Sequence, residues 1–252
     1  MASHGRRVGL TALVVGWLLL VSPVIVWFIA DTLGAPAALV TALTLMAAAP
    51  AIMSAPAFAL ILGLDAPLAV VVVTVATLAT PFTLPPVALA LLGLDIDIGL
   101  GELMLRLAAI IGGTFAAAYL FKRFAPAGWI AARTAELDGV AVVALLVFAV
   151  GIMDGVTARL IERPGFVMLC IAAAFAANLA LQAAGALIFG PTGALRALTL
   201  GFASGNRNMG LVLAVLADKA DFDVVVFFAV GQVPMYILPA LLRPLYRRVL
   251  GA

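Results

Sequence analysis

Apolar residues fill long windows along the chain, and polar or turn-forming residues collect between them. The windows fall at 9–29, 35–62, 66–90, 102–121, 137–153, 166–189, 193–217 and 223–242. Roughly 20 residues of helix are needed to cross about 30 Å of hydrocarbon, so nearly every window is long enough to span a bilayer. The pattern predicts an all-α, polytopic bundle of about eight spans, organised as one membrane domain over residues 1–252. The first window follows the paired arginines Arg6 and Arg7, as a secretory leader would. It is longer than the apolar core of a leader and no clean small-residue cleavage site follows, so it is expected to be a retained span.

Two windows are interrupted. The second, in MAAAPAIMSAPAFALILGL, carries Pro50 and Pro56. Each proline removes a backbone donor and clashes one turn back, so the helix is expected to break between them. The seventh carries GFASGNRNMGL, with Ser204, Asn206, Arg207 and Asn208 where lipid-facing packing would want Leu or Val. Each break is followed by the rest of its helix, a short acidic turn and a proline-marked span, PFTLPP in one case and PMYILP in the other. Spans one to three thus match spans six to eight in opposite orientation. Paired interruptions in inverted halves point to a secondary transporter, because unwound backbone at the midplane exposes groups that can coordinate a substrate or ion.

Composition removes the soluble classes. Hydrophobic residues make up 66% of the chain and charged residues 10%, with a mean hydropathy of +1.27. The charges sort by side. Arg6, Arg7, Lys122, Arg123, Arg133, Arg196, Arg243, Arg247 and Arg248 all fall on one side of an eight-span bundle. Asp31, Asp95, Asp97, the mixed loop from Asp154 to Arg163 and the acidic run from Asp218 to Asp223 fall on the other. Lys and Arg resist translocation, so both termini are expected in the cytoplasm and the protein in the cell inner membrane. Trp17, Trp27 and Trp129 are interfacial anchors or packing residues; the pattern does not separate the two.

Catalytic chemistry finds little to work with. The one histidine, His4, lies in the N-terminal tail, so a Ser204 nucleophile has no base in the membrane. Asp138 and Asp154 are sixteen residues apart, about 24 Å along a helix, and cannot share a proton. Cys170 is single and lies in an apolar run, and no metal-ligand motif is present. The chain is not expected to be an enzyme, and no catalytic residue, metal site or cofactor is assigned. Polar residues do gather on spans one to three and six to eight. Ser54, Thr77, Asn178, Gln182, Ser204, Asn206, Asn208 and Gln232, with Thr74, Thr80 and Tyr236 beside them, either line a polar cavity or form interhelical hydrogen bonds. Glu102 and Arg106, one turn apart, read as a structural pair near the interface.

In order and spacing, MAAAPAIMSAPAFALILGL, TLATPFTLPP and GFASGNRNMGLVLAVL resemble the bile acid:sodium symporter superfamily. Gly205, Asn208, Gly210 and Leu211 fit that family's second crossover in register. The resemblance implies two discontinuous crossing helices within an inverted repeat. It also implies a core of spans 9–90 and 166–242, and a panel here reduced to spans 102–153. One span precedes the first crossover where the family has three, so the first two helices are expected to be missing, either because the reading frame starts late or because this is a natural short form, with a homodimer as one way of completing the panel. The family's sodium-site positions correspond here to Ala55, Pro56, Ala69, Val73, Ala203 and Arg207, which offer almost no oxygen ligands to a hard cation. Family analogy implies sodium coupling; these side chains imply degraded sites.

Arg207 has two readings. Either it holds the place of the lost cation and pairs with a substrate carboxylate, or it bonds backbone carbonyls freed by the unwinding and never meets ligand. The function expected is secondary transport of a small organic anion, through a site drawn from Arg207, Asn206, Asn208, Ser204, Ser54, Thr77, Asn178, Gln182 and Gln232. The alternatives are a transport-inactive structural or regulatory subunit and a sodium-independent anion channel or facilitator.

Overall fold

The structure is a computed structural model that describes residues 2–93, 99–126, 128–216 and 220–251. Asp95, Asp97 and Asp218 lie outside the described residues, as do the side chains of His4, Arg6 and Arg7. The elements are α1 (Ala2–Gly16), a π-helical turn (Trp17–Val21), α2 (Ser22–Thr32), α3 (Ala37–Ala48), α4 (Ala55–Leu62), α5 (Ala66–Leu92) and α6 (Leu100–Phe124). There follow α7 (Trp129–Ala132), α8 (Thr134–Ile152), α9 (Val156–Glu162), α10 (Pro164–Ile188), a 3₁₀ turn (Gly190–Thr192), α11 (Ala194–Gly205), α12 (Met209–Leu216), α13 (Phe222–Val230) and α14 (Gln232–Leu250). The chain is thus a polytopic helical bundle, and the only β-type pairing among the described residues is one isolated bridge.

Among the described residues, six helical stretches are long and apolar enough to cross a membrane: Gly9–Thr32, Ala66–Leu92, Leu100–Phe124, Thr134–Glu162, Pro164–Ile188 and Phe222–Leu250. The second and seventh windows are instead split into α3 with α4 and α11 with α12, as their prolines and polar run require.

Three boundaries differ from the sequence expectation. The first window is not a plain α-helix, because it loosens into the π turn just before Pro23. The fifth continues past residue 153 through α9. The eighth runs on to Leu250, which places Arg243, Arg247 and Arg248 on α14 rather than in a following tail. By contrast α5 stays continuous through Pro81, Pro85 and Pro86. Neighbouring helices and hydroxyls tolerate such prolines in membranes, and Thr80 and Thr83 donate to the carbonyls of Ala76 and Ala79.

Burial is uneven. Helix α3 is buried from Ala42 to Ala48, and most of α13 is buried as well, whereas almost every described side chain on α8 is exposed. The most extensive helix pairing among the described residues is α10 with α11, where small residues let the backbones approach. A Cβ on Gly201 would stand 2.6 Å from the Gln182 carbonyl oxygen, and one on Gly205 would stand 2.5 Å from that of Asn178.

Candidate functional site

Helix α3 ends because Pro50 cannot continue it, and Ala49 turns extended with ψ 151°. Pro56 then falls in the first turn of α4, where a missing N–H costs nothing. On the other side α11 ends at Gly205 and Asn206 leaves the helix at φ −94°, ψ 98°. The two stretches of freed backbone satisfy each other. Ile52 donates its amide to the Asn206 carbonyl at 2.9 Å, and Asn208 donates to the Pro50 carbonyl at 2.8 Å. Ala51 and Arg207 form an antiparallel bridge between them. Unpaired backbone groups at membrane depth are costly, and this pairing removes four of them at the point of contact.

Arg207 closes the rest of the junction and is 0% exposed. Its Nε donates to the Ser204 carbonyl at 2.6 Å, Nη1 to the carbonyls of Leu18 at 2.8 Å and Ala49 at 3.0 Å, and Nη2 to Ser22 Oγ at 2.8 Å. Each acceptor is available for a reason. Ala49 and Ser204 are at or next to helix ends, where carbonyls lack intrahelical donors. Leu18 lies in the π turn, where Ser22 donates its amide to Trp17, five residues back. The next donor in that series would be the amide of Pro23, which proline lacks, so the Leu18 carbonyl is left for Ser22 Oγ at 2.9 Å and for the guanidinium. Sequence reasoning named Arg207 and missed Leu18 and Ser22, although the Ser-Pro pair inside the first span was the available signal.

The other candidate residues divide into two groups. Asn178 donates to the Gly205 carbonyl at 3.0 Å and lies 3.4 Å from Asn206 Oδ1. Gln182 donates to Asn178 Oδ1 at 2.5 Å and accepts from the Tyr246 hydroxyl at 2.6 Å. Asn206 donates to the Phe202 carbonyl at 2.9 Å. Ser204 bonds the Leu200 carbonyl at 2.7 Å and accepts from Trp17 Nε1 at 3.0 Å, so Trp17 is a packing residue rather than an interfacial anchor. Thr77 is 5% exposed, with Met53 Sδ 3.8 Å from its hydroxyl. These five residues are buried and do not line the open space beside the junction. Among the described residues, every buried side-chain nitrogen or oxygen has a partner.

That open space is a cavity of about 680 Å³ between the two breaks, α8 and α14. Ser54, Asn208, Gln232 and Tyr236 supply its polar side chains, and Met53, Phe58, Ile61, Phe148, Met209 and Met235 its main apolar walls. Asn208 Oδ1 accepts from the Leu211 amide at 3.1 Å, capping the start of α12, and Gln232 donates to the Phe228 carbonyl at 3.2 Å. Arg207 is also among the residues that line this cavity, yet none of its four hydrogen-bond partners is. The guanidinium is bonded to oxygens of the junction.

At one end of α13, Asp223 binds two arginines. Arg159 approaches its Oδ1 with Nε at 2.8 Å and Nη2 at 2.5 Å, and Arg163 Nη1 lies 3.0 Å from Oδ2. The Asp221 carboxylate accepts the Asp223 amide at 2.8 Å and fixes the turn. Glu102 and Arg106 pair at 2.7 Å on the exposed face of α6, as their spacing implied.

With this geometry in view, the family model of the sodium bile acid symporter family matches residues 5–163. The match takes in the first break and stops before the second, which rests on the GFASGNRNMGL sequence and on the structure. A comparison with the curated proteins finds no match.

Proposed function

The chain belongs to the sodium bile acid symporter family, a family of membrane transporters, and from that premise we propose that it carries a small organic anion across the inner membrane without sodium at the positions its relatives use. The observation that carries this reading is the wholly buried Arg207. Three backbone carbonyls and a hydroxyl from three segments converge on its guanidinium, an oxygen set of the kind a hard cation would want.

The residues present do not fit a sodium ion. Ala55, Ala69, Val73 and Ala203 are 0 to 3% exposed and bring no side-chain oxygen, Pro56 brings none either, and the sixth position is Arg207 itself. A tethered, permanently charged group holds the crossover where an exchangeable ion would otherwise be needed. Sodium therefore enters no step of the transport mechanism.

Substrate is assigned to the 680 Å³ cavity, with Ser54, Asn208 and Gln232 as its polar contacts. The starts of α4 and α12 face the same junction, and helix N-termini favour an anion. Asn178, Gln182, Ser204, Asn206 and Thr77 are positioning residues that hold the breaks in shape. Alternating access follows from movement of the sparsely packed α6 and α8 past the buried helices, with both termini cytoplasmic.

The test is uptake of a panel of organic carboxylates into proteoliposomes, with and without a sodium gradient. Saturable uptake indifferent to sodium is expected. Sodium-driven uptake would overturn the reading of Arg207. Non-saturating flux would favour a channel or facilitator, and no flux for any anion a transport-inactive subunit.

A further inference from the structure

A second cavity, of about 660 Å³, opens at the end of the bundle where α4 and α14 finish and α11 begins. Its lining combines Arg243 and Arg247 with Leu60, Ile61, Leu195 and Leu250. The two arginines are one turn apart on α14, so both guanidinium groups serve one face of the helix. Neither makes an ion pair, hydrogen bond or ring contact among the described residues.

The acid nearest in sequence to α4, Asp65, spends Oδ1 on the Leu68 amide at 3.0 Å and pairs with neither. Helix α11 begins at this cavity after Gly193 with no side-chain cap, so its first amides add to the positive field. The end of α4 opposes that field only weakly. Gly63 at φ 72° lets the Leu64 amide reach the Ala59 carbonyl at 2.8 Å, which satisfies part of its last turn.

The apolar wall is open to the outside: Leu60 is 73% exposed and Ile61 61%. Two unpartnered arginines therefore line the same cavity as an apolar surface that acyl chains can cover. We propose that this cavity is a site for an anionic phospholipid, its headgroup phosphate held by Arg243 and Arg247 and its chains lying along Leu60, Ile61 and Leu195. Planar guanidinium forks suit phosphate oxygens, and basic pockets between spanning helices attract acidic headgroups. The site borders the outer ends of both interrupted segments, so an occupying lipid would hold α4 and α11 against α14.

The full chain purified in detergent is titrated with phosphatidylglycerol, phosphatidylcholine or soluble glycerol 1-phosphate, reading bound lipid by native mass spectrometry and unfolding by a thermal shift. Phosphatidylglycerol is expected to bind and raise the unfolding temperature, and the other two probes to do neither. Arg243→Gln with Arg247→Gln should weaken phosphatidylglycerol binding roughly tenfold or more. Lys122→Gln with Arg248→Gln removes the same charge outside the cavity and should leave binding unchanged. Should the glutamine pair not fold, Arg243→Lys with Arg247→Lys keeps the charge and should lose several-fold in affinity with the planar forks. Equal binding of phosphatidylcholine by the wild type, an equal shift from soluble glycerol 1-phosphate, or equal losses in the Lys122 and Arg248 control would each overturn the proposal.

Discussion

Ala51 and Arg207, 156 positions apart, pair backbone to backbone in an antiparallel bridge at the crossing of the two interrupted helices. The same residue that forms the bridge sends its side chain to Leu18 and Ser22 in the first span. Backbone and guanidinium of Arg207 thus tie together three separate parts of the chain. A break in one helix is tolerated because the other break, and the π turn ahead of Pro23, supply complementary groups.

Removal of the guanidinium should therefore loosen all three segments together. In Arg207→Gln a shorter amide cannot reach every acceptor, and buried carbonyls of Leu18, Ala49 and Ser204 lose donors. We predict a loss of about 2–4 kcal/mol, given the modest net value of each hydrogen bond in membranes. Arg207→Lys should fall between, since an ammonium keeps the charge but not the forked geometry. Thermal unfolding in detergent checks the magnitude. Hydrogen exchange should rise at residues 49–54 and 206–208 together; a change at one stretch alone would contradict the three-way tie.

Much of this junction was legible in the sequence, because prolines and polar residues have local consequences. Pro50 and Pro56 mark where α3 must stop and α4 can start, and SGNRN marks the second interruption. What Arg207 touches was not legible: Leu18 is 189 positions away, and its carbonyl is free through a five-residue hydrogen-bond register that Pro23 terminates. Spacing gathers the polar residues onto the same helices, but it does not say which side of a helix faces open space. Asn178 and Gln182 therefore looked equivalent to Gln232, and only the fold separates the first two, which do not line the cavity, from the third, which does.

The glycines of α11 make a second prediction. Side chains at Gly201 and Gly205 would collide with backbone oxygens of α10, whereas Gly112 and Gly113 on α6 have nothing within 4 Å. Gly201→Ala or Gly205→Ala should destabilise by about 1–3 kcal/mol through overpacking. Gly112→Ala or Gly113→Ala should be neutral or stabilise by about 0.5–1 kcal/mol through helix propensity. Unfolding midpoints of the four single variants decide this, and equal effects at both pairs would refute the close α10 and α11 contact.

Asp223 joins α13 to Arg159 and Arg163, and Arg163 leads directly into α10. Asp223 is 9% exposed, so its neutral replacement leaves two cations facing a group that no longer answers them. We predict that Asp223→Asn lowers stability by about 1–3 kcal/mol, within the range for hydrogen bonds to charged groups. A double-mutant cycle with Arg159→Gln should show coupling well above the roughly 0.5 kcal/mol of an exposed helical pair such as Glu102 with Arg106. Coupling no larger than that of Glu102 and Arg106 would reduce the cluster to surface charge.

The transport pathway makes the sharpest demand on α8. Ala144 lines the 680 Å³ cavity, while the adjacent Val143 does not and is 59% exposed. Successive helix residues point about 100° apart, so one bulky substitution can be placed in the cavity and a chemically identical one outside it. Ala144→Trp should occupy space opposite Asn208 and Gln232 and cut organic-anion uptake by roughly tenfold or more, a loss of over about 1.4 kcal/mol in transition-state terms. Val143→Trp should leave uptake within about twofold, because tryptophan is well tolerated where a helix meets lipid. Neither variant touches the buried junction, so expression and unfolding temperature should stay near the wild type in both. Uptake preserved in Ala144→Trp, or lost equally in the two, would remove this cavity from the route that substrate takes.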